Sequence, residues 1–532
     1  MVAGVILVLA IIRVRFLGFP LERDEGEYAY AGQLLLQGIP PYEMAYNMKL
    51  PGAYFAYALF MAVFGQTPIG IHIGLLLVNA VSIVLVYALG KRLFNAGVGV
   101  VGAVSYAWLS LSPSVLGVSG HATHFVVVFA LAGLLLLLRA NASGRMGTYL
   151  VAGCLLGLAF LMKQHAIFVL LFGVAVAVRP LWRASSPRRL RMLAAVTLLG
   201  GCALPFVATC AYLLAAGVFD QFWFWTVVYA RDYVSQVPWS EAPQRFLAAF
   251  WPVVYPYRWL WALAGAGLIG LCVGPRWRSG RTFLLTLLGA SWLTILPGFL
   301  FRQHYFIVVL PAVGLLAGVG VDAFVQWLSR RSIPSVVRQA LPVVLLLLVW
   351  GWPLRELGAF YFAMPMQQAS RILSGENPFP ESMEIATYIR AHSSEADTMA
   401  VLGSEPQIAF YAKRRSATGY LYTYALMESH AHAREMQQKM IAEIESAQPK
   451  FLVFVNIPKS WLARRDSPTL MLNWYPPYAR EHYDLVGLVD IVSASQTEYR
   501  WDAAVGDKPP KSPFYVLVYA RKSASTRGQP DA

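Results

Sequence analysis

Residues 22–30 bring Glu22, Arg23, Asp24, Glu25, Glu27 and Tyr28 into barely two helical turns, directly after an apolar run. Carboxylates so placed suit general-base work or cation binding. Asp24 and Glu25 are adjacent, so on a helix they point about 100° apart and cannot both face one reacting atom. One must act while the other orients or caps. A plain structural alternative is that Asp24 caps a helix beginning near Gly26. Further on, Lys49 stands before Leu50 and Pro51, and Lys163-Gln164-His165 separates two apolar runs. Arg231 precedes Asp232 and Tyr233, and Arg302-Gln303-His304-Tyr305 opens another apolar run. Lys163, below the membrane surface between two short spans, needs an anion or a carboxylate. The other three cations have an ordinary explanation: snorkelling for Lys49, a local pair with Asp232 for Arg231, a headgroup contact for Arg302. Their convergence on one anionic group, a sugar diphosphate or lipid phosphate, accounts for Lys49, Lys163, Arg231 and Arg302 together.

These residues need a frame, and the composition points to a membrane. The chain has 532 residues, 57% hydrophobic and only 13% charged, against about 25% charged in soluble domains. Up to Pro353 only nine of the 28 acidic residues occur. The expectation is a mainly α, polytopic transmembrane part over 1–353 and a soluble α/β part over 354–532. The +15 net charge is spread over short loops and forms no stripe suited to nucleic acid. The four cysteines lie in apolar runs and imply neither a disulfide framework nor a zinc site.

Eleven apolar stretches read as spans: 2–19, 68–90, 96–113, 122–138, 148–162, 166–178, 192–216, 255–273, 282–299, 304–328 and 339–353. With a cytoplasmic N-terminus, the inside loops at 91–92, 139–145, 179–191, 276–281 and 330–338 hold fifteen Lys/Arg and no acid. Fusing 148–162 with 166–178 would put Lys163 in mid-membrane and move the Arg-rich 179–191 loop outside. Kept apart, they leave Lys163, the acidic 20–50 loop and the C-terminal part on the outer side. Gly26–Gln37 and Pro51–Phe64 read as helices lying on the membrane surface. The outer loop 217–254 carries an aromatic belt including Trp225, Tyr229 and Trp251. In the soluble part, 398–403, 451–456 and 514–519 read as strands and His430–Ala447 as a helix.

Arg23 to Ala29, then Leu35-Leu36-Gln37-Gly38-Ile39-Pro40-Pro41-Tyr42, then Lys49-Leu50-Pro51, resemble the opening of the bacterial protein-O-mannosyltransferase-like and aminoarabinose-transferase-like families of GT-C membrane glycosyltransferases. Gly157 to Gln164 and His304-Tyr305-Phe306 through Leu310-Pro311 are similar too, so the resemblance covers roughly 20–325. It implies an inverting transferase of the cell inner membrane, with its active site and C-terminal domain extracytoplasmic. Asp24 would be the base, with Glu25 as its neighbour. Lys49 would meet the phosphate of a polyprenyl-phosphate sugar. From the outer-side cation pattern, Lys163, Arg231 and Arg302, with Gln164, His304 and Tyr305 beside them, are the further candidates for that phosphate. Tyr28, Tyr42, His121 and His124 are the candidates for contacts to sugar or acceptor. The family's second acid before the fourth span is absent: the stretch is Gly120-His121-Ala122-Thr123-His124. Either histidine replaces it, or its role is missing.

A single displacement at an anomeric carbon needs a base near the acceptor and cations on the departing phosphate. Phosphate leaves well without a strong acid, and no D-x-D triplet stands in the first loop, so no cofactor or obligatory metal is expected. The expected partners are the lipid-linked donor, a glycan, lipid or protein acceptor, and membrane lipids. A flippase of lipid-linked sugar is the alternative. It would need charges deep in several spans or matched broken helices, and the spans are nearly charge-free away from their outer ends. An assembly scaffold would leave the four outer cations unexplained.

Overall fold

The computed structural model describes residues 1–178 and 188–522. Helices occupy each of the eleven expected stretches. They are α1 (Val2–Arg15), α4 (Pro68–Leu93), α5 (Ala96–Leu109), α6 (Ala122–Ser143), α7 (Met146–Met162), α8 (Ile167–Val178) and α9 (Arg188–Ala215), then Arg258–Val273, Arg278–Leu293, Leu310–Ser329 and Ser335–Gly358. Among the described residues, five helices are long and apolar enough to cross a membrane by themselves, or up to seven if each of two bent pairs is one span. Most of the basic 179–191 loop lies outside the described residues. Lipid-type faces are plain on α9 and Ser335–Gly358, whose apolar windows are only 17% buried within the protein.

The bundle packs through small residues. A Cβ on Gly314 would lie 2.7 Å from Gly102 O, one on Gly318 2.5 Å from Val98 O, and one on Gly267 1.9 Å from Leu316 O. Between α7 and α9, Gly153 and Gly201 touch the facing backbone in the same way. Where lipid offers helices no hydrophobic drive to associate, such backbone contact is what dispersion can exploit. Arg13 on α1 donates to Gly117 O, Ser110 O and Ser110 Oγ at 3.2–3.3 Å, tying α1 to the loop that leads into α6.

The chain then turns by 67° into α2 (Arg23–Leu36). Glu22, not Asp24, is its N-cap. The Glu22 side chain accepts from Glu25 N while Glu25 reaches back to Glu22 N, a reciprocal capping pair. Asp24 and Glu25 in the first turn also complement the helix dipole, and Gly38, at φ +80°, ends the helix. A Cβ on Gly26 would lie 2.7 Å from both the Cβ and the backbone N of Gln407, in the C-terminal part. So α2 does not lie on a membrane surface, as its sequence suggested. Apart from Asp24 it is buried from Arg23 to Leu34, between the bundle and the C-terminal domain. α3 (Gly52–Phe64) does keep an exposed apolar face, with Phe55, Leu59 and Val63.

Pro353, the expected boundary, falls inside Ser335–Gly358. The C-terminal part is a mixed six-stranded sheet in the order β2-β1-β3-β6-β4-β5. β1 (Thr398–Leu402) pairs in parallel with β2 (Arg415–Ser416) and β3 (Phe451–Asn456). β6 (Tyr515–Arg521) runs antiparallel to β3 and to β4 (Tyr483–Ile491), which pairs with β5 (Thr497–Trp501). The three expected strands are present as β1, β3 and β6, and the expected helix begins at Ala433. β2 is too short and β5 too polar to stand out in the sequence, and the apolar run of β4 is broken by Asp484, Gly487 and Asp490.

Because α2 fits against Gln407 without clearance, Gly26→Ala should force the two parts apart. Overpacking of this kind costs about 1–3 kcal/mol, so a thermal-shift measurement on the purified protein should show a clear fall in midpoint. An unchanged midpoint would mean that the contact yields easily.

Candidate active site

A cavity of about 710 Å³ opens where α2, the 45–49 loop, the α7–α8 break, the 297–305 segment and the C-terminal domain meet. Asp24 stands on its wall. Its Oδ1 accepts from Lys49 Nζ at 2.7 Å and from Tyr422 OH at 3.0 Å. The Lys49 ammonium also meets Glu27 Oε2 at 2.5 Å, and Tyr54 OH donates to the other Glu27 oxygen at 2.5 Å. Burial opposes the charge on Lys49, but Asp24 and Glu27 outweigh it and push its pKa well above the ordinary lysine value.

The loop that delivers Lys49 is held tightly. Tyr42 has φ +71°, is fully buried, and donates to Lys49 O at 2.7 Å. Gln164 donates to Met48 O at 2.6 Å. Tyr42 was a candidate sugar contact; it lies outside the cavity wall and shapes the backbone under Lys49.

Across the cavity α7 ends at Met162, and Lys163 is extended at φ −161°, ψ 131°. Its ammonium lies 3.1 Å from His304 Nε2 and 4.3 Å above the Tyr305 ring. Burial, then the neighbouring Lys49 and Arg302, push the Lys163 pKa down to about 7 against the pull of Asp24. Arg302 also lines the cavity. It follows a turn in which Phe299 and Phe301 have φ +48° and +44°. Such left-handed conformations cost about 1–3 kcal/mol each and gather at functional sites.

His121 lies flat on His304, with ring centroids 4.1 Å apart and planes at 10°. Its Nδ1 is 3.6 Å from Asp24 Oδ2 and its Nε2 3.8 Å from Glu22 Oε1. Neither nitrogen has a hydrogen-bond partner among the described residues. Asp24, His121 and His304 offer atoms within 4.8 Å of one another, close enough to surround a cation. Two ammonium groups, on Lys49 and Lys163, already hold Asp24 and His304 at hydrogen-bond distance.

The structure therefore gathers Asp24, Tyr28, Lys49, His121, Lys163, Gln164, Arg302, His304 and Tyr305 around one cavity. Besides Tyr42, three expected residues do not join them. Arg231 points outward, with its side chain 84% exposed beside Asp232. It follows a π-helical stretch, Phe224–Tyr229, that turns Tyr229 and Tyr233 toward the cavity instead. His124 is buried inside α6, away from the cavity wall. Glu25 faces the bundle, where its Oε1 accepts from Gly120 N at 2.5 Å and pairs with His72 Nε2 at 3.0 Å. His72 Nδ1 meets Leu17 O at 2.9 Å. With acceptors at both nitrogens, His72 can serve both only as an imidazolium.

Glu22, Trp225, Tyr233, Tyr422 and Tyr424 line the cavity without having been singled out as site residues. For Trp225 the aromatic run was a signal, read as a headgroup belt. For Tyr422 and Tyr424, some 400 residues from Asp24, the sequence offers no signal.

Residues 48–206 match the sequence family described as dolichyl-phosphate-mannose-protein mannosyltransferase. No curated protein matches the chain. Among solved structures, ArnT from Cupriavidus metallidurans bound to undecaprenyl phosphate superposes with TM-score 0.59 at 15% identity, covering 100% of this chain and 99% of that one. Its apo form gives 0.57 at 16%, covering 97% of each chain. The archaeal oligosaccharyltransferase AglB from Archaeoglobus fulgidus, in complex with an inhibitory peptide and a dolichol-phosphate, gives 0.52 at 12%, covering 96% of this chain and 75% of that one. At these identities the structural likeness is one of fold. Residues 48–206 are thus similar to the dolichyl-phosphate-mannose-protein mannosyltransferases, and they sit in a multi-pass membrane fold shared along the whole chain with ArnT.

Proposed function

We propose that the chain is an inverting transferase that moves a sugar from a polyprenyl-phosphate donor to an acceptor hydroxyl on the outer face of the cell's inner membrane. The observation that carries this is the facing of Asp24 by Lys163 and Arg302 across one cavity. The undecaprenyl phosphate and dolichol-phosphate named for the neighbouring structures are the donor class that fits such cations. In the reaction the acceptor oxygen attacks the anomeric carbon, and the bond to the phosphate oxygen breaks with its electron pair. Polyprenyl phosphate departs, and the acceptor proton passes to Asp24. Lys163 and Arg302 bind the phosphate and stabilise the charge that grows on it. Lys49 holds Asp24 in place, and its ammonium lies within reach of the same anion. His304 and Tyr305 orient Lys163, while His121 and Tyr28 flank the space for sugar and acceptor. Eleven crossings with a cytoplasmic N-terminus put this cavity and the C-terminal domain outside, in two domains meeting near residue 353–363. Protein, lipid and glycan hydroxyls all suit the acceptor role.

Asp24→Asn keeps the shape of the side chain and leaves the helix cap intact, since Glu22 makes the cap. Release of polyprenyl phosphate from a polyprenyl-phosphate hexose, with an envelope fraction as acceptor, should fall about 100-fold or more. Donor binding should hold, while the thermal midpoint should fall because the Lys49 ammonium loses one of its two charge partners. Full turnover in this variant would remove Asp24 from the chemistry.

Lys163 gives a pH signature. Its pKa of about 7 in the empty site means that it is charged below that pH and loses its charge above it. Affinity for polyprenyl phosphate should therefore weaken as pH rises through about 7, and Lys163→Arg, always charged, should flatten the profile. The same slope in both proteins would show that Lys163 does not hold the phosphate.

Sidedness follows from the charge pattern. In a background without native cysteines, cysteines at Ser143 and Ser495, both exposed, should react with an impermeant thiol reagent from opposite sides of the membrane. Labelling of both from one side would overturn the orientation.

A further inference from the structure

The C-terminal domain approaches the site closely. Arg23, next to Asp24, is nine-tenths buried, and its guanidinium is spent on that domain. It donates to Ser404 O, to Tyr424 OH, to Asn377 Oδ1 at 3.0 Å and to Glu405 Oε1 at 2.7 Å. The 418–424 loop that carries Tyr422 is fixed from both sides. Below it, Thr423 N donates to Ser404 Oγ at 2.9 Å and Thr423 Oγ1 to Ser460 O at 3.0 Å, while Ser460 Oγ donates to Glu405 at 2.6 Å. All four of these side chains are buried. On the other side, Tyr46 N donates to Gly419 O at 2.7 Å, and a Cβ on Gly419 would lie 2.5 Å from the Tyr46 ring. The ring of Tyr422 stacks on that of Tyr424, with centroids 5.5 Å apart and planes at 15°. Its hydroxyl therefore has little freedom, and it meets both Asp24 Oδ1 at 3.0 Å and Lys49 Nζ at 3.4 Å.

We propose that Tyr422 is a positioning residue for the transfer reaction, through which the C-terminal domain completes the active site. Two donors, the Lys49 ammonium and the Tyr422 phenol, hold Oδ1 of Asp24. The carboxylate cannot rotate, and Oδ2 is the oxygen left to take the acceptor proton. Oδ2 has His121 3.6 Å away, beyond hydrogen-bond reach. A phenol serves here better than a second cation would. It donates to Asp24 and accepts from Lys49, so it fixes both without adding charge to a site that must still admit a phosphate. This assignment rests on Asp24 being the base.

The test uses the full chain and the conservative variant Tyr422→Phe, which keeps the ring, its stacking and the domain contact. In turnover of a polyprenyl-phosphate hexose, kcat should fall about tenfold or more, the scale of a lost hydrogen bond to a charged group. The donor KM should stay within about twofold of that of the parent protein by the same conversion. A residue that only packs the domain would leave kcat unchanged. Without donor, thermal-shift midpoints of Asp24→Ala, Tyr422→Phe and the double variant should be non-additive, because each single change removes the same contact. Full kcat in Tyr422→Phe, in a parent protein that turns over, would overturn the positioning role. Additive midpoints would overturn the contact whether or not the protein turns over. A parent protein that transfers no sugar, with midpoints still non-additive, would instead sink the transferase reading and leave the Tyr422–Asp24 lock standing.

Discussion

The ammonium of Lys49 lies between the carboxylates of Asp24 and Glu27, and much of the fold around the cavity follows from having to hold that arrangement. Three charges so near the protein interior lose hydration that their mutual attraction restores only when the geometry is good and the remaining lone pairs are used. The structure meets both conditions. Tyr54 satisfies Glu27, Tyr422 satisfies Asp24, and the backbone under Lys49 is pinned by Tyr42 and Gln164. Glu27 is almost wholly buried, while Asp24 and Lys49 keep about a fifth of their side-chain surface toward the cavity. The pair thus faces the space where an acceptor and an anion would enter, with its structural partner behind it.

The helix that presents Asp24 is anchored at both flanks by charge. Glu25 reaches into the bundle to His72 and Gly120, and Arg23 reaches into the C-terminal domain to Glu405. Consecutive residues on a helix point about 100° apart, so three neighbours face three directions: domain, cavity and bundle. Removing one partner of a buried pair typically costs about 3–5 kcal/mol, which makes each anchor hard to release separately. The close contact at Gly26 leaves no room for α2 to slide between them.

Positive charge on the opposite wall comes from breaks in helical structure. Lys163 occupies the extended step between α7 and α8, and Arg302 follows a turn with two aromatic residues in left-handed conformation. Helix interrupted at membrane depth is tolerated where it lines a cavity, and both interruptions line the same one. Arg231 shares their position against the loop-charge trend, yet it faces outward, because the helix around it turns aromatic side chains inward.

The sequence by itself determined the chemistry-bearing segments and the kind of molecule. Apolar run length, loop charge and the clustering of acids are local properties, and they were enough to mark a membrane bundle, a mixed α/β end and the residues Asp24, Lys49, Lys163 and Arg302. Spacing could also say that Asp24 and Glu25 diverge, since helical geometry is fixed by the backbone. It could not say which of them faces the cavity, because that depends on His72 and Gly120, contributed by distant elements. It offered a cap at Asp24 as the alternative to a catalytic role, whereas the helix begins one turn earlier than its apolar pattern, at the charged residues that Glu22 caps. It placed α2 on a membrane surface because nothing local reveals that a second domain will cover it. Tyr422, Tyr424 and the convergence of three cations without Arg231 were decided only by the tertiary structure. A contact across some 400 residues leaves no periodicity or spacing in a single chain; it exists only once the C-terminal sheet is docked on α2 through Arg23.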